Sequence, residues 1–172
     1  MITLFDIPST TPGISASPSV WKTRLCLNYK KLPFKVEWVE FPDIEALSKK
    51  YGFEPTRKRP DGSPLYTLPA IIDVDEETGR VKAAMSNSFT IARYLDEAYP
   101  NTPKLFIGSE EEIKEQEKLC IELPRIMLAG MSLVVFRAID SVLNDASKVY
   151  YSSARARCVA GVSCRAPRRH PI

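Results

Sequence analysis

A chain of 172 residues with 44% apolar residues is long enough for one full domain and part of a second, and its composition excludes a fibre or a disordered polymer. Its 24 Lys and Arg against 21 Asp and Glu nearly balance, although six of the basic residues and none of the acidic ones fall after residue 145. The four cysteines at positions 26, 120, 158 and 164 form no C-x-x-C pair and His170 stands alone, which predicts no structural metal and a reducing, cytoplasmic setting.

The opening MITLFDIPSTTPG lacks a charged leader ahead of an apolar run and reads as no secretory signal. ITLFDI is a short apolar strand and PSTTPGISAS a turn-rich loop. From Pro18 the apolar residues Trp21, Leu25, Tyr29 and Leu32 recur at helical spacing, and Pro33 closes that helix. Ser17 before Pro18 is the arrangement of an N-cap followed by proline at the first helical position. FKVEWVEF alternates over Phe34, Val36 and Trp38 and reads as a second strand, and DIEALSKKYG as a short helix ending on Gly52. FEPTRKRPDGSPLYT is too rich in proline and polar residues for a regular element and reads as a surface loop. PAIIDVDEETGRVKAAM gives two strands around a turn, and SNSFTIARYLDEAYP a capped helix that stops before Pro100.

Beyond a Pro-rich linker, a long helix is predicted from about Glu110 to Asn144, kinked at Pro124. Its apolar run Ile126 to Phe136 lies between Arg125 and Arg137 and falls short of the roughly 18 residues a bilayer span needs, so no membrane partner is predicted. The acid-free, Arg-rich end has no aromatic residue after Tyr151 and no periodic face, and it reads as a disordered or aberrant tail rather than a nucleic-acid module. Strand, helix, strand favours a parallel right-handed crossover, to which the hairpin adds antiparallel strands. The fold class is therefore α/β over residues 1–100, with an all-α part following.

SPSVWKTR at the first helix, YTLPAIID entering the hairpin and SNSFTIARYLDEAYPNTPKLF at the third helix, in that order, resemble the glutathione transferases. The similarity is strongest to the fungal branch related to bacterial β-aryl etherases. The resemblance implies a thioredoxin-like glutathione-binding domain (βαβα-ββα) over 1–100. It also implies a linker and the first long helix of a helical C-terminal domain over 101–145, and an aberrant tail over 146–172. It further implies glutathione as co-substrate, no metal, a hydrophobic or aromatic electrophile as second substrate, conjugation or ether cleavage in detoxification, and a homodimer. Family members carry further helices, so the expectation is a truncated C-terminal domain. A non-catalytic carrier of aromatic compounds and an inactive fragment stay open as alternatives.

Within that resemblance Ser17 is the catalytic candidate, its hydroxyl donating to the glutathione sulfur at a helix end that favours anions. A serine there cannot form the mixed disulfide that a cysteine would. Ser15 and Ser19 read as loop and first-turn residues, and Cys26 as a small buried one. Pro69 implies a cis Leu68–Pro69 bond that turns the backbone of Leu68 toward the tripeptide, as if adding a strand. Asn87 and Ser88 match the pair that holds the γ-glutamyl end, with Asn87 standing where most of these enzymes have an acid. Lys49, Lys50 and Arg57 to Arg59 supply candidates for the glycyl carboxylate.

Overall fold

A computed structural model describes residues 1–59 and 61–152. The N-terminal part is a four-stranded sheet in the order β2-β1-β5-β6, with β1 (Ile2–Asp6), β2 (Phe34–Trp38), β5 (Ala70–Val74) and β6 (Val81–Ser86). β1 runs parallel to β2, with Ile2 opposite Phe34, and antiparallel to β5, with Phe5 opposite Ala70. β6 closes the sheet against β5, with Ser86 opposite Ala70. The parallel pair is joined by α1 (Pro18–Tyr29), and the hairpin is followed by α3 (Ser88–Ala98), giving the expected thioredoxin-like order.

The central strands are buried on both faces, so β1 and β5 are mostly apolar, each carrying one buried acid, Asp6 and Asp73. Alternation along β1 separates the two layers. Phe5 meets Tyr51 and Phe53 at 5.4 and 5.5 Å on the side of α2 (Ile44–Tyr51). Asp6, its neighbour, turns to the opposite face and meets Arg24 of α1. The core is completed by Val20 and Leu27 of α1 and by Ile91 and Leu95 of α3, all fully buried. α2 ends as predicted at Gly52, whose φ of +70° suits a left-handed cap that other residues adopt at a cost.

Three features differ from the sequence reading. The stripe Trp21, Leu25, Tyr29 is 37%, 61% and 57% exposed, and α1 instead turns Val20, Thr23 and Leu27 inward. The loop after α2 contains a small hairpin of β3 (Arg57–Lys58) and β4 (Pro64–Leu65), closed by a turn in which Asp61 accepts from the N–H and hydroxyl of Ser63. The tail expected from residue 146 begins with order: after α4 (Glu110–Val142), helical through Pro124, α5 (Asp145–Ser152) packs on the 3-10 turn Phe41–Asp43, with Tyr150 stacked on Phe41 at 6.1 Å. The Arg-rich segment after Ser152 lies outside the described residues.

α4 starts on a reciprocal cap. Ser109 N–H donates to Glu112 Oε2 at 2.6 Å and Glu112 N–H donates to Ser109 Oγ at 3.3 Å. A Cβ on Gly108 would lie 2.4 Å from that same carboxylate oxygen, so the cap needs glycine there. Upstream, the linker is pinned by a buried ion pair. Lys30, fully buried, reaches Asp96 at 2.7 Å and the carbonyl of Pro103 at 3.0 Å. Asp96 also accepts from the N–H groups of Leu105 and Phe106, each at 3.0 Å.

Candidate active site

The sheet register brings the predicted residues to one end of the domain. Phe5 and Ser86 both pair with Ala70, so the end of β1, the start of β5 and the end of β6 lie side by side. The helices that follow β1 and β6 begin near that end, α1 being brought back to it by Ala16 N–H donating to the carbonyl of Ile7 at 2.9 Å, so the positive ends of both helix dipoles lie there. Asn87 N–H donates to the carbonyl of Pro69 at 3.2 Å and ties the third motif to the second.

Ser17 caps α1 in extended conformation, φ −105° and ψ 116°. Its carbonyl accepts from Val20 and Trp21 at 3.1 Å each, whereas its Oγ accepts only a long 3.4 Å bond from Val20. The hydroxyl proton has no acceptor among the described residues, and the side chain is half-buried. Ser17 Oγ is thus a weakly engaged cap with a donor to spare. Ser15 differs: it is buried and its hydroxyl is committed to Asp6. Ser19 is exposed on the first turn.

The Leu68–Pro69 bond is cis. Neither the N–H nor the C=O of Leu68 has a hydrogen-bond partner among the described residues, leaving one donor and one acceptor at the sheet edge. Asn87 holds φ +79° and ψ 120°, a conformation costing a non-glycine residue about 1–3 kcal/mol. Its Oδ1 accepts from Phe89 N–H at 2.9 Å and so caps α3. Ser88 opens that helix, and its hydroxyl has no partner among the described residues.

Among the basic candidates, Lys49 pairs with Glu45 at 2.8 Å, and Arg59 reaches the same carboxylate at 3.3 Å and the carbonyl of Pro64. Lys50 lies over the Tyr51 ring at 4.8 Å. Arg57 and Lys58 on β3 are exposed and carry no ion pair among the described residues. Cys26 is half-buried, and burial followed by the charge of Asp96 pushes its thiol above the ordinary value against the opposing effect of Lys30. An inert packing residue fits that setting.

Sequence reasoning missed two parts of the site. One is a cleft of about 410 Å³ beside the Ser17 loop, lined by Pro8, Pro12 and Ile14 of the loop, Trp38 at the end of β2, Glu40 beyond it, and Asn144 after α4. Thr10 anchors the loop to the end of α4, its N–H and hydroxyl donating to the carbonyls of Val142 and Ser141 at 2.8 Å each. Glu40 in turn accepts from Asn144 at 2.8 Å and from the Ser147 hydroxyl. The other is Asp6, whose acid inside an otherwise apolar strand was the available signal. No group of His, Cys, Asp and Glu among the described residues is able to hold a metal ion, and no helix among them is long and apolar enough to cross a membrane.

Residues 16–98 match the model of the glutathione S-transferase N-terminal domain. Over that stretch the chain is similar to this domain. Over 157 residues the chain is 35% identical to the glutathione S-transferase-like protein ustS of Aspergillus flavus, covering 88% of this chain and 54% of that one. It superposes with a TM-score of 0.77 on the glutathione S-transferase CsGST63524 of Ceriporiopsis subvermispora, solved in complex with glutathione, at 37% identity over 95% of this chain and 61% of that one. The glutathione transferase GSTFuA3 of Phanerochaete chrysosporium gives the same TM-score at 35% identity, covering 95% and 62%. The chain thus spans little more than half the length of the curated relative and about three fifths of these structures.

Proposed function

We propose that this domain binds glutathione across the end of the sheet and that Ser17 stabilises its thiolate for attack on a hydrophobic, aromatic electrophile. The observation that carries the reading is the convergence of two helix N-termini and the Leu68 backbone on one edge, with a free hydroxyl at Ser17. Glutathione's thiol ionises near the ordinary cysteine value of about 8.5, so a hydroxyl donor at a helix end lowers it toward neutrality. The thiolate then forms a carbon–sulfur bond as the leaving group departs with its electron pair, and the thiol proton goes to solvent. The cysteinyl backbone adds to Leu68 as a short strand, and the γ-glutamyl carboxylate takes the Ser88 hydroxyl and N–H. Arg57 and Lys58 remain for the glycyl carboxylate. In ether cleavage the leaving group is the aryloxide or alkoxide, and the etherase-like similarity of the first helix favours that branch.

The relative solved with glutathione supports the ligand, and the matched domain supports the site. Retention on immobilised glutathione, followed by glutathione-dependent turnover of a model aromatic electrophile, tests it. Retention without turnover would favour the non-catalytic carrier, the second reading supported by the missing charge at Asn87, and no retention would end both.

Two expected results follow from the same geometry. Asn87→Asp keeps the cap and a residue type that tolerates positive φ, and adds the opposite charge that the glutamyl ammonium would otherwise lack. Hydrogen bonds between charged groups exceed neutral ones by about 1 kcal/mol, so calorimetry should show glutathione binding about fivefold tighter. In the cleft, Glu40 is a carboxylate among apolar walls with no cation in the lining. A neutral aromatic electrophile should therefore show a several-fold higher kcat/KM than its carboxylated analogue, and Glu40→Gln should narrow that ratio.

A further inference from the structure

Beneath the Ser17 turn lies a network of polar groups buried far more deeply than a surface loop needs. Asp6 is 0% exposed and Ser15 is 6% exposed. Ser15 Oγ donates to Asp6 Oδ1 at 2.5 Å and accepts from the backbone N–H of Ser17 at 3.1 Å. The carboxylate of Asp6 also accepts from Ile7 N–H and from Arg24 Nε, both at 2.6 Å. Arg24 is held in turn between the rings of Trp21 and Trp38, at 5.6 and 5.2 Å from their centres. Trp21 Nε1 donates to the carbonyl of Ser15 at 3.2 Å. The charged groups facing Ser15 are Asp6 from β1 and, behind it, Arg24 from α1.

Burying a carboxylate costs several kcal/mol unless it is paired and hydrogen-bonded. Here Ile7 N–H, Arg24 and Ser15 share that compensation, and the Ser15 bond ties it to the turn at residues 15–17. A hydroxyl that donates to an ionised carboxylate is polarised and becomes a better acceptor, which strengthens its hold on Ser17 N–H. The Ser17 carbonyl is held by Val20 and Trp21 at 3.1 Å, but its hydroxyl makes only the 3.4 Å capping bond. The Ser15 bond therefore fixes the backbone from which Ser17 Oγ projects.

We propose that Ser15 and Asp6 are positioning residues for Ser17. Ser15 relays the fixed position of Asp6 in β1 to the backbone of Ser17 and so holds its hydroxyl on the thiol. The inference rests on the reading of Ser17 given above. A misplacement on the order of 1 Å suffices to lose most of such an interaction.

The test reads the thiolate ultraviolet absorbance of bound glutathione against pH in the whole protein, with affinity for S-methylglutathione measured in parallel. Ser15→Ala should raise the apparent thiol pKa by about half a unit to one unit, a three- to tenfold loss of thiolate at neutral pH. S-methylglutathione affinity should stay within about twofold, because that ligand has no proton to lose. Ser15→Thr, which keeps the hydroxyl, should restore the wild-type profile. Should Ser15→Ala fail to fold, the pair Asp6→Asn with Arg24→Gln removes both buried charges together and carries the same expected rise. A profile moved by Ser17→Ala but not by loss of the Ser15 hydroxyl overturns this inference and leaves the role of Ser17 intact. A profile moved by neither overturns the Ser17 reading itself.

Discussion

Ser17→Ala is expected to lower glutathione-dependent conjugation at neutral pH by about ten- to hundredfold, the equivalent of one hydrogen bond to a charged group at about 1.5 to 3 kcal/mol. The deficit should shrink as pH rises, because the thiol then ionises without help and the donor no longer decides how much nucleophile is present. The rate profile of the variant therefore moves to higher pH while its plateau changes less. Folding should suffer little, since the capping bond lost is the long one at 3.4 Å and the first-turn carbonyl contacts at 3.1 Å remain. Urea unfolding gives the control: a stability change below about 1 kcal/mol, the lower part of the range for N-cap loss. Wild-type rates across the pH range would remove Ser17 from the chemistry.

Asp96→Ala should do the opposite, harming the fold far more than the chemistry. It strands Lys30, whose side chain is 0% exposed, without its anionic partner, and releases the N–H groups of Leu105 and Phe106. Breaking a buried pair from one side costs about 3–5 kcal/mol, a large part of the stability of a single domain. The exposed pair Glu45–Lys49 sets the contrast, since its loss should leave the urea midpoint nearly unchanged. Acid should reproduce part of the effect. Burial works to raise the Asp96 carboxyl, but the hydrogen bonds from Lys30 and from Leu105 and Phe106 outweigh it and hold it below the ordinary value. A folded-state value below the unfolded one gives stability that is present above the unfolded value and lost as pH falls through the folded one. Urea midpoints measured from neutral to acid should fall for the wild type and flatten for Asp96→Ala.

Local chemistry was readable in advance where one residue type answers one backbone need. Ser17 with Pro18, Gly52, the hairpin turn and the cap at Asn87 all sit where caps and turns require them. The face of α1 was not readable, because two stripes compete on that helix. Trp21, Leu25 and Tyr29 are the more apolar stripe, yet the residues that meet the sheet are Val20, Thr23 and Leu27. Periodicity finds a stripe without saying which way it turns. The buried ions Asp6 and Lys30 escaped for a related reason: each is satisfied by partners 18 and 66 residues away, and no local pattern encodes such pairs. The β3–β4 hairpin was hidden by its prolines, although Asp61, Gly62 and Ser63 of the turn that closes it were on view.

The loop between β1 and α1 is moored twice, and its two moorings lead to different parts of the molecule. Its far end, at Ser15 and Ser17, is tied to β1 through Asp6, whereas its crest at Thr10 hangs from the last turn of α4. On the function proposed above, small shifts of that long helix reshape the wall offered to an incoming electrophile while the Ser17 hydroxyl stays with the sheet. On that same reading, reactivity and selectivity are decoupled across some seven residues of chain, and substitutions in the helical half should retune what is attacked without disturbing what attacks.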